Sequence, residues 1–394
     1  MEKFAKIILH PKKERSIKLF HPWLFSGAVA KTEGNPLEGD IVEIFTHDGE
    51  YLATGHFHNG SIKVRIFSFE KTEAGEDFWF NKLTDAYRLR QSLGITENKN
   101  SNMYRLVHGE GDGLPGLIID MYGTAAVIQT HTLGMRKQIP NILSGLKKIY
   151  GAGLDTVYDK SSDTMGKQGV EQIVNSFLLG DVKEKLLKEN DIFFNVNWVE
   201  GQKTGFFLDQ RENRKLLEKY SAGKKVLNTF SYSGGFSMYA LKGGATLVHS
   251  VDSSKKAIEL STINAEQNNF GDKHSVFAID VFDFLKKSDE KYDIIVLDPP
   301  AFAKHLSSVD NAMVGYRNLN TEGFKRVAKG GMLFTFSCSQ VIDRALFRKL
   351  VFQAAAQAKR NVRIIHQLSQ GPDHPVSIYH PEGEYLKGLV MVVD

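Results

Sequence analysis

Three carboxylates stand at comparable places in the second half of the chain. Asp252 closes the apolar run Leu247-Val-His-Ser-Val, Asp280 closes Val276-Phe-Ala-Ile, and Asp298 closes Tyr292-Asp-Ile-Ile-Val-Leu. Each run is short, apolar and rich in β-branched residues, so each reads as a buried strand with an acid at its carboxyl end. In an open α/β sheet the ligand lies over that edge, which is where such acids can reach it. Asp252 comes about twenty residues after a glycine turn, the spacing at which a carboxylate takes both hydroxyls of a ribose. The chemistry on offer is the binding of a nucleoside-type cofactor.

The turn itself is Val226-Leu-Asn-Thr-Phe-Ser-Tyr-Ser-Gly-Gly-Phe236. Its apolar start reads as a strand, Gly234-Gly235 as a tight turn, and Phe236–Leu241 as a helix that follows at once. Glycines there leave backbone N–H groups bare and no side chain in the way of a ligand. A glycine pair alone is weak, since any tight βα connection can use one. The succession of acid-ended strands carries the reading. A fifth strand is read at Gly331–Ser339, a helix from about Arg344 to Ala358, and two last strands at Val362–His366 and Tyr385–Val393 with no helix between them. That helix-free ending argues against a dinucleotide dehydrogenase sheet.

Asn228–Phe236, Ser250–Ser254, Ala278–Phe284, Asp298–Phe302 and Phe334–Ser339 resemble, in this order, the motifs of class I S-adenosylmethionine-dependent methyltransferases. More narrowly they are similar to the PUA-domain-containing ribosomal RNA large-subunit (23S) cytosine-5 methyltransferases, and the likeness extends less sharply over nearly the whole chain. The resemblance implies S-adenosylmethionine as cofactor. It implies contacts from Asn228, Phe230, Ser231, Gly234 and Gly235 at the turn, and from Asp252, Asp280, Val281 and Asp298 at the later strands. Gln210 and Arg214, in the run that prefaces this domain, are carried as further cofactor contacts.

Carbon 5 of cytosine is scarcely nucleophilic, so enzymes of this kind add a thiolate to carbon 6. That addition makes carbon 5 able to attack the methyl group; a base then removes the carbon-5 proton and the thiolate is expelled. Cys338 is the one cysteine of the chain. A buried inert thiol is the commoner fate of cysteine, but Cys338 lies between Ser337 and Ser339 at a strand's end, which favours the nucleophile. Asp298 is the second catalytic residue, placed for the N3 and amino edge of the pyrimidine. Pro299 and Pro300 shape the substrate loop, Phe302 is expected to stack on the base, and His374 in the loop 370–376 is expected at the same edge as a proton carrier. Lys304 is a candidate charged neighbour of Cys338. Many RNA cytosine-5 methyltransferases carry a second cysteine beside the loop proline, and Asp298-Pro-Pro-Ala-Phe302 has none. Two alternatives stay open: methylation of a guanine nitrogen, which needs no thiolate, and an RNA-binding ribosome-assembly factor without catalysis.

With 394 residues, 42% hydrophobic and 24% charged, the chain suits two or three globular domains. The fold class expected is α/β, in three parts: an all-β PUA RNA-binding domain at 1–72, a central α+β (strand-strand-helix-strand-strand) domain at 73–190, and a Rossmann-like methyltransferase domain at 191–394. In the first, Lys12, Lys13, Arg15 and Lys18 form a basic cluster, and Trp23 and Phe25 read as core. In the third, Ile192–Asp209 reads as a hairpin about Gly201-Gln-Lys-Thr-Gly205, with Asp209 capping the next helix. Glu110, Asp112 and Asp120 lie in glycine-rich turns that need no metal, and none is expected. A net charge of +4 and pI near 8.8 permit a nucleic-acid partner. The resemblance names it as 23S ribosomal RNA, free or in an assembling large subunit, and admits a homodimer. No apolar run is long enough for a signal peptide or a membrane span, so a cytoplasmic protein is expected.

Overall fold

A computed structural model describes residues 4–165, 173–181, 187–303 and 309–394; Lys304 lies outside them. The chain divides into two compact units, Met1–Leu187 with Val196–Phe206 and Pro372–Gly383, and Lys188–Asn195 with Phe207–Gly371 and Glu384–Asp394.

The first unit holds two sheets. Its six-stranded sheet uses Ala5–Leu9, Trp23–Phe25, Val29–Glu33, Ile41–Phe45, Tyr51–Phe57 and Ile62–Ser68. Alternating Ile7, Leu9, Val42, Ile44 and Val64 are fully buried, as period-2 patterning requires. The five-stranded sheet uses Met103–His108, Leu117–Tyr122, Ala125–Thr130, Thr156–Asp159 and Ser176–Leu179, three strands before the helix Ile139–Tyr150 rather than the two expected. Phe67 of the first sheet packs on Phe78 and Trp79 of the helix Glu76–Ser92, ring centroids 5.4 and 5.0 Å apart. Phe67 thereby joins the core of the five-stranded sheet, while Ile7, Leu9, Val42, Ile44 and Val64 belong to a separate core. Trp23 is half-buried, its indole N–H donated to Glu110 and its ring beneath Arg65. Phe25 is 46% exposed, so it is not core as expected. Lys12, Lys13, Arg15 and Lys18 are exposed, with Lys18 paired to Glu50.

His374 belongs to this unit. It is 2% exposed, its Nδ1 lies 3.0 Å from Asp373, and its ring packs on His108. The segment is fastened by Arg90, which donates to the Asp373 carbonyl at 2.7 Å, and by the Arg105 N–H on the Asp373 carboxylate. At Gly111 a Cβ would lie 1.9 Å from the Pro375 carbonyl oxygen, so only glycine allows this approach. The side chain of His374, expected as a proton carrier, is buried in this network. The three acids that read as a mock metal site are each held by an arginine, Glu110 by Arg65, Asp112 by Arg90 and Asp120 by Arg105.

The second unit is built on a seven-stranded sheet: β1 Lys225–Thr229, β2 Leu247–Asp252, β3 His274–Ala278, β4 Tyr292–Leu297, β5 Val327–Ser337, β6 Val362–Leu368 and β7 Lys387–Val393. Its order is β3-β2-β1-β4-β5-β7-β6, parallel except for β7, which runs antiparallel to both neighbours. Strands covered on both faces need continuous apolar runs, and Ile294, Ile295, Val296 and Leu297 of β4 are all buried. One face is sealed by the helices Val309–Arg326 and Arg344–Gln357, with Tyr316, Phe324 and Phe347 buried against Leu297 and Leu333.

The hairpin expected at 192–209 falls earlier, between Leu187–Glu189 and Ile192–Phe194. Residues 196–206 form no strand and belong to the first unit. Asp209 is not the cap of the helix Arg211–Tyr220; Gln210 is, and Asp209 accepts the Tyr385 hydroxyl at 2.6 Å. Among the described residues no helix is long and apolar enough to cross a membrane.

Candidate active site at the carboxyl edge of the seven-stranded sheet

Strand registry fixes which residues share this edge. Thr229 of β1 is paired with Val251 of β2 and Leu297 of β4, Asp252 with Ala278 of β3, and Leu297 with Thr335 of β5. Phe230, Asp252 and Asp298 therefore stand one step past a common row, Asp280 two residues beyond β3, and Cys338 one residue beyond β5. With strands about 4.8 Å apart, Asp252 and Asp298 are roughly 10 Å from each other along the edge, and β5 lies one strand further.

The turn after β1 is held by backbone bonds. Phe230, Tyr232 and Gly234 take φ of 53°, 46° and 77°, the left-handed region that aromatic residues rarely occupy. The Ser231 N–H donates to the Val251 carbonyl, and the Tyr232 and Ser254 N–H groups donate to the two Asp252 carboxylate oxygens at 3.0 and 2.9 Å. Asp252 thus closes the turn and, remaining half-exposed, keeps lone pairs toward solvent. At Gly234 a Cβ would lie 2.3 Å from the Ser261 hydroxyl, and at Gly235 3.2 Å from Cδ of Arg214. The glycine pair is needed for close packing as much as for a ligand.

The Asn228 side chain turns inward. It donates to Ser237 at 2.9 Å, and the chain of bonds continues through Ser250 to Nε2 of His274. Burial pulls His274 down to about 4, so the network ends on a neutral imidazole at pH 7. Arg214 is likewise committed: its guanidinium grips Glu189 at 2.6 to 2.9 Å, and Nη1 donates to the Phe207 carbonyl. Asn228 and Arg214 act here as supports of the turn. Breaking a buried pair by removing one partner costs about 3–5 kcal/mol. Glu189→Ala is therefore expected to lower the thermal midpoint well below that of the wild type, read by calorimetry, and an unchanged midpoint would contradict the bracing role.

Gln210 is brought to Asp298. Its amide donates to Oδ2 at 3.0 Å, and Asn213 donates to the Gln210 oxygen at 2.6 Å, which fixes the amide's orientation. Asp280 accepts the Asp283 N–H as cap of the helix Val281–Lys287 and is exposed, while Val281 is buried. Pro299 is buried and Pro300 exposed. Phe302 packs its ring on Tyr316, centroids 4.7 Å apart, and belongs to the rim of the core. Its ring remains half-exposed.

Cys338 is half-exposed, its Sγ 3.9 Å from the Pro299 carbonyl oxygen. Two neighbours were not foreseen. Tyr316 bonds the Ser339 hydroxyl at 3.0 Å, and Lys387 is paired in register with Ser337. Burial pulls Lys387 down to about 8, and a negative Cys338 would raise it again. A lone lysine in the apolar run Leu386-Lys-Gly-Leu-Val-Met-Val-Val393 is the signal that could have marked it. Burial raises the Tyr316 phenol above its usual range; Ser337 and Ser339 oppose the rise and Cys338 adds to it.

Residues 7–69 match the family described as PUA-like domain, and residues 173–387 match that described as S-adenosylmethionine-dependent methyltransferase. The chain belongs to this methyltransferase family. It is 38% identical over 398 residues to the ribosomal RNA large subunit methyltransferase I of Vibrio vulnificus (strain CMCP6), covering 99% of both chains. To the protein of the same name from Aeromonas salmonicida (strain A449) it is 39% identical over 393 residues, covering 98% of both. A methyltransferase solved in complex with SAH shares the fold with a TM-score of 0.85 at 24% identity, over 98% of this chain and 99% of that one.

The cofactor of the family is S-adenosylmethionine. The edge fits it: the half-exposed Asp252 carboxylate lies beside a glycine turn, and a neutral network lies beneath that turn. PUA-like and methyltransferase parts stand in the order expected from the sequence.

Proposed function

We propose that the protein methylates carbon 5 of a cytosine in large-subunit ribosomal RNA through a Cys338 thiolate. The observation that carries this reading is the half-exposed Cys338 beyond β5, against the Asp298-Pro-Pro loop. Full-length likeness to proteins named as ribosomal RNA large subunit methyltransferases supports the substrate. S-adenosylmethionine, when bound, supplies a methyl group on a positively charged sulfur. Asp252 takes the ribose hydroxyls, and Phe230, Ser231, Gly234 and Gly235 line the turn beside it. Asp280 and Val281 complete the edge on the β3 side.

Cys338 adds its sulfur to carbon 6 of the cytosine, which moves electron density to carbon 5. Asp298, oriented by Gln210, accepts from the amino edge of the base and keeps carbon 6 over the sulfur. Once carbon 5 carries its methyl, a base removes the carbon-5 proton, the ring double bond reforms and Cys338 departs as the thiolate. Pro299 and Pro300 hold the loop in shape through this cycle. The exposed basic cluster Lys12, Lys13, Arg15 and Lys18 adds phosphate contacts from the PUA-like sheet.

The test is nucleoside mass spectrometry of ribosomal RNA from cells with and without the protein. One 5-methylcytidine of the large-subunit RNA is expected to vanish and to return with the wild-type gene. Loss of a methylguanosine instead, or of nothing, contradicts the proposal.

A further inference from the structure

Lys387 is a buried cation with an unusual setting. It is 3% exposed, and its ammonium donates to the carbonyls of Ser339 at 2.6 Å and Tyr385 at 2.7 Å. Among the described residues it makes no ion pair. Taking an ammonium out of water is costly unless it is paired and hydrogen-bonded, and two carbonyl dipoles compensate only in part. The nearby acids have other partners: Glu384 is bound to Arg344, Asp343 caps the helix Arg344–Gln357, and Asp298 takes Gln210. Across from it, the helix Val309–Arg326 offers Tyr316, a neutral phenol bonded to Ser339. Among the described residues, a further group that could complement the charge is Cys338, which lies between Ser337, the register partner of Lys387, and Ser339, whose carbonyl Lys387 holds.

We propose that Lys387 is a positioning residue for the Cys338 nucleophile, its buried ammonium favouring the thiolate while its bond to the Ser339 carbonyl fixes the backbone that presents the sulfur. The proposal rests on Cys338 being the nucleophile. Loss of the thiol proton to solvent leaves an anion near a cation that makes no ion pair among the described residues and is otherwise favoured only by the longer-range charges of Glu384 and Asp343. Reciprocally, the anion draws Lys387 back toward its ordinary range, in keeping with the opposing effects of burial and Cys338 on this lysine.

Cys338 is the chain's one cysteine, so alkylation of the full-length protein reports on it alone. Iodoacetamide forms a carbon–sulfur bond with the thiolate and releases iodide, and its rate against pH gives the thiol's midpoint. The wild-type midpoint is expected at least about one unit below the ordinary thiol value near 8.5. Lys387→Met should raise it by about a unit, slowing alkylation at pH 7 roughly tenfold, while Lys387→Arg should restore most of the rate. S-adenosylmethionine affinity serves as the check that each variant is folded. A Met variant that binds the cofactor normally with an unmoved midpoint would overturn the proposal. So would a wild-type midpoint at the ordinary value, which decides the matter even if no Lys387 variant folds. Cys338→Ala methylating RNA normally would instead sink the nucleophile reading and leave the alkylation result standing.

Discussion

Cys338→Ala is expected to bind S-adenosylmethionine and ribosomal RNA as the wild type does and to transfer no methyl group. The substitution removes one sulfur at a half-exposed position beyond β5, where it approaches the Pro299 carbonyl oxygen only at the long distance of 3.9 Å. Little packing depends on it, so stability should change by no more than about 1 kcal/mol, within the range of ordinary surface changes or slightly above. The chemistry depends on it wholly, because without addition at carbon 6 the acceptor carbon stays unreactive. Single-turnover assays with radiolabelled cofactor measure the effect. A variant that methylates at a comparable rate would remove the thiolate from the mechanism and return guanine modification as the reading.

The second large effect is expected at Asp252. Its carboxylate closes the turn after β1 by accepting the Tyr232 and Ser254 N–H groups, and it is placed to accept ribose hydroxyls as well. A hydrogen bond to a charged group contributes about 1.5–3 kcal/mol, and each 1.4 kcal/mol is roughly tenfold in affinity. Asp252→Ala should therefore bind S-adenosylmethionine at least about tenfold more weakly. Part of that loss comes from a turn that no longer holds the left-handed Phe230 and Tyr232. Asp252→Asn, which keeps one acceptor oxygen, should fall between. Titration calorimetry giving wild-type affinity for the alanine variant would refute the assignment.

The parts of this molecule that were legible in the sequence are those fixed by local pattern. β1 to β5 announced themselves as apolar runs, and the helix Gly235–Lys242 by the turn before it. The helix-free passage from β6 to β7 separated this sheet from a dehydrogenase sheet. The parts that were not legible depend on long-range packing. The helix Val309–Arg326 stands in a polar stretch with little periodic signal, and only the sheet it covers gives its buried Tyr316 and Phe324 a purpose. His374 resembled a loop residue because proline and glycine surround it. Its neighbour Asp373 is anchored by Arg90 and Arg105, more than two hundred residues away in the chain.

Within the site the same division holds. Asp252, Asp280 and Asp298 end up along one edge because residue type and strand end are both written in the sequence. Arg214 and Asn228 carry the expected residue types, yet they support the turn through Glu189 and Ser237. Lys387 stands out in the sequence only as a lone lysine in an apolar run; its place beside Cys338 comes from an antiparallel pairing with β5 that no spacing reveals. Phe302, expected to stack on a base, is drawn to Tyr316 by a helix the sequence pattern does not mark.

The most direct measurement is covalent capture. Large-subunit ribosomal RNA carrying 5-fluorocytidine is incubated with the protein and S-adenosylmethionine, digested, and analysed by peptide mass spectrometry. Fluorine on carbon 5 cannot leave as a proton does, so the sulfur–carbon 6 bond should persist, and the predicted result is a nucleotide adduct on Cys338 that is missing from Cys338→Ala. Methylation of unmodified RNA by a protein that yields no such adduct would contradict the account.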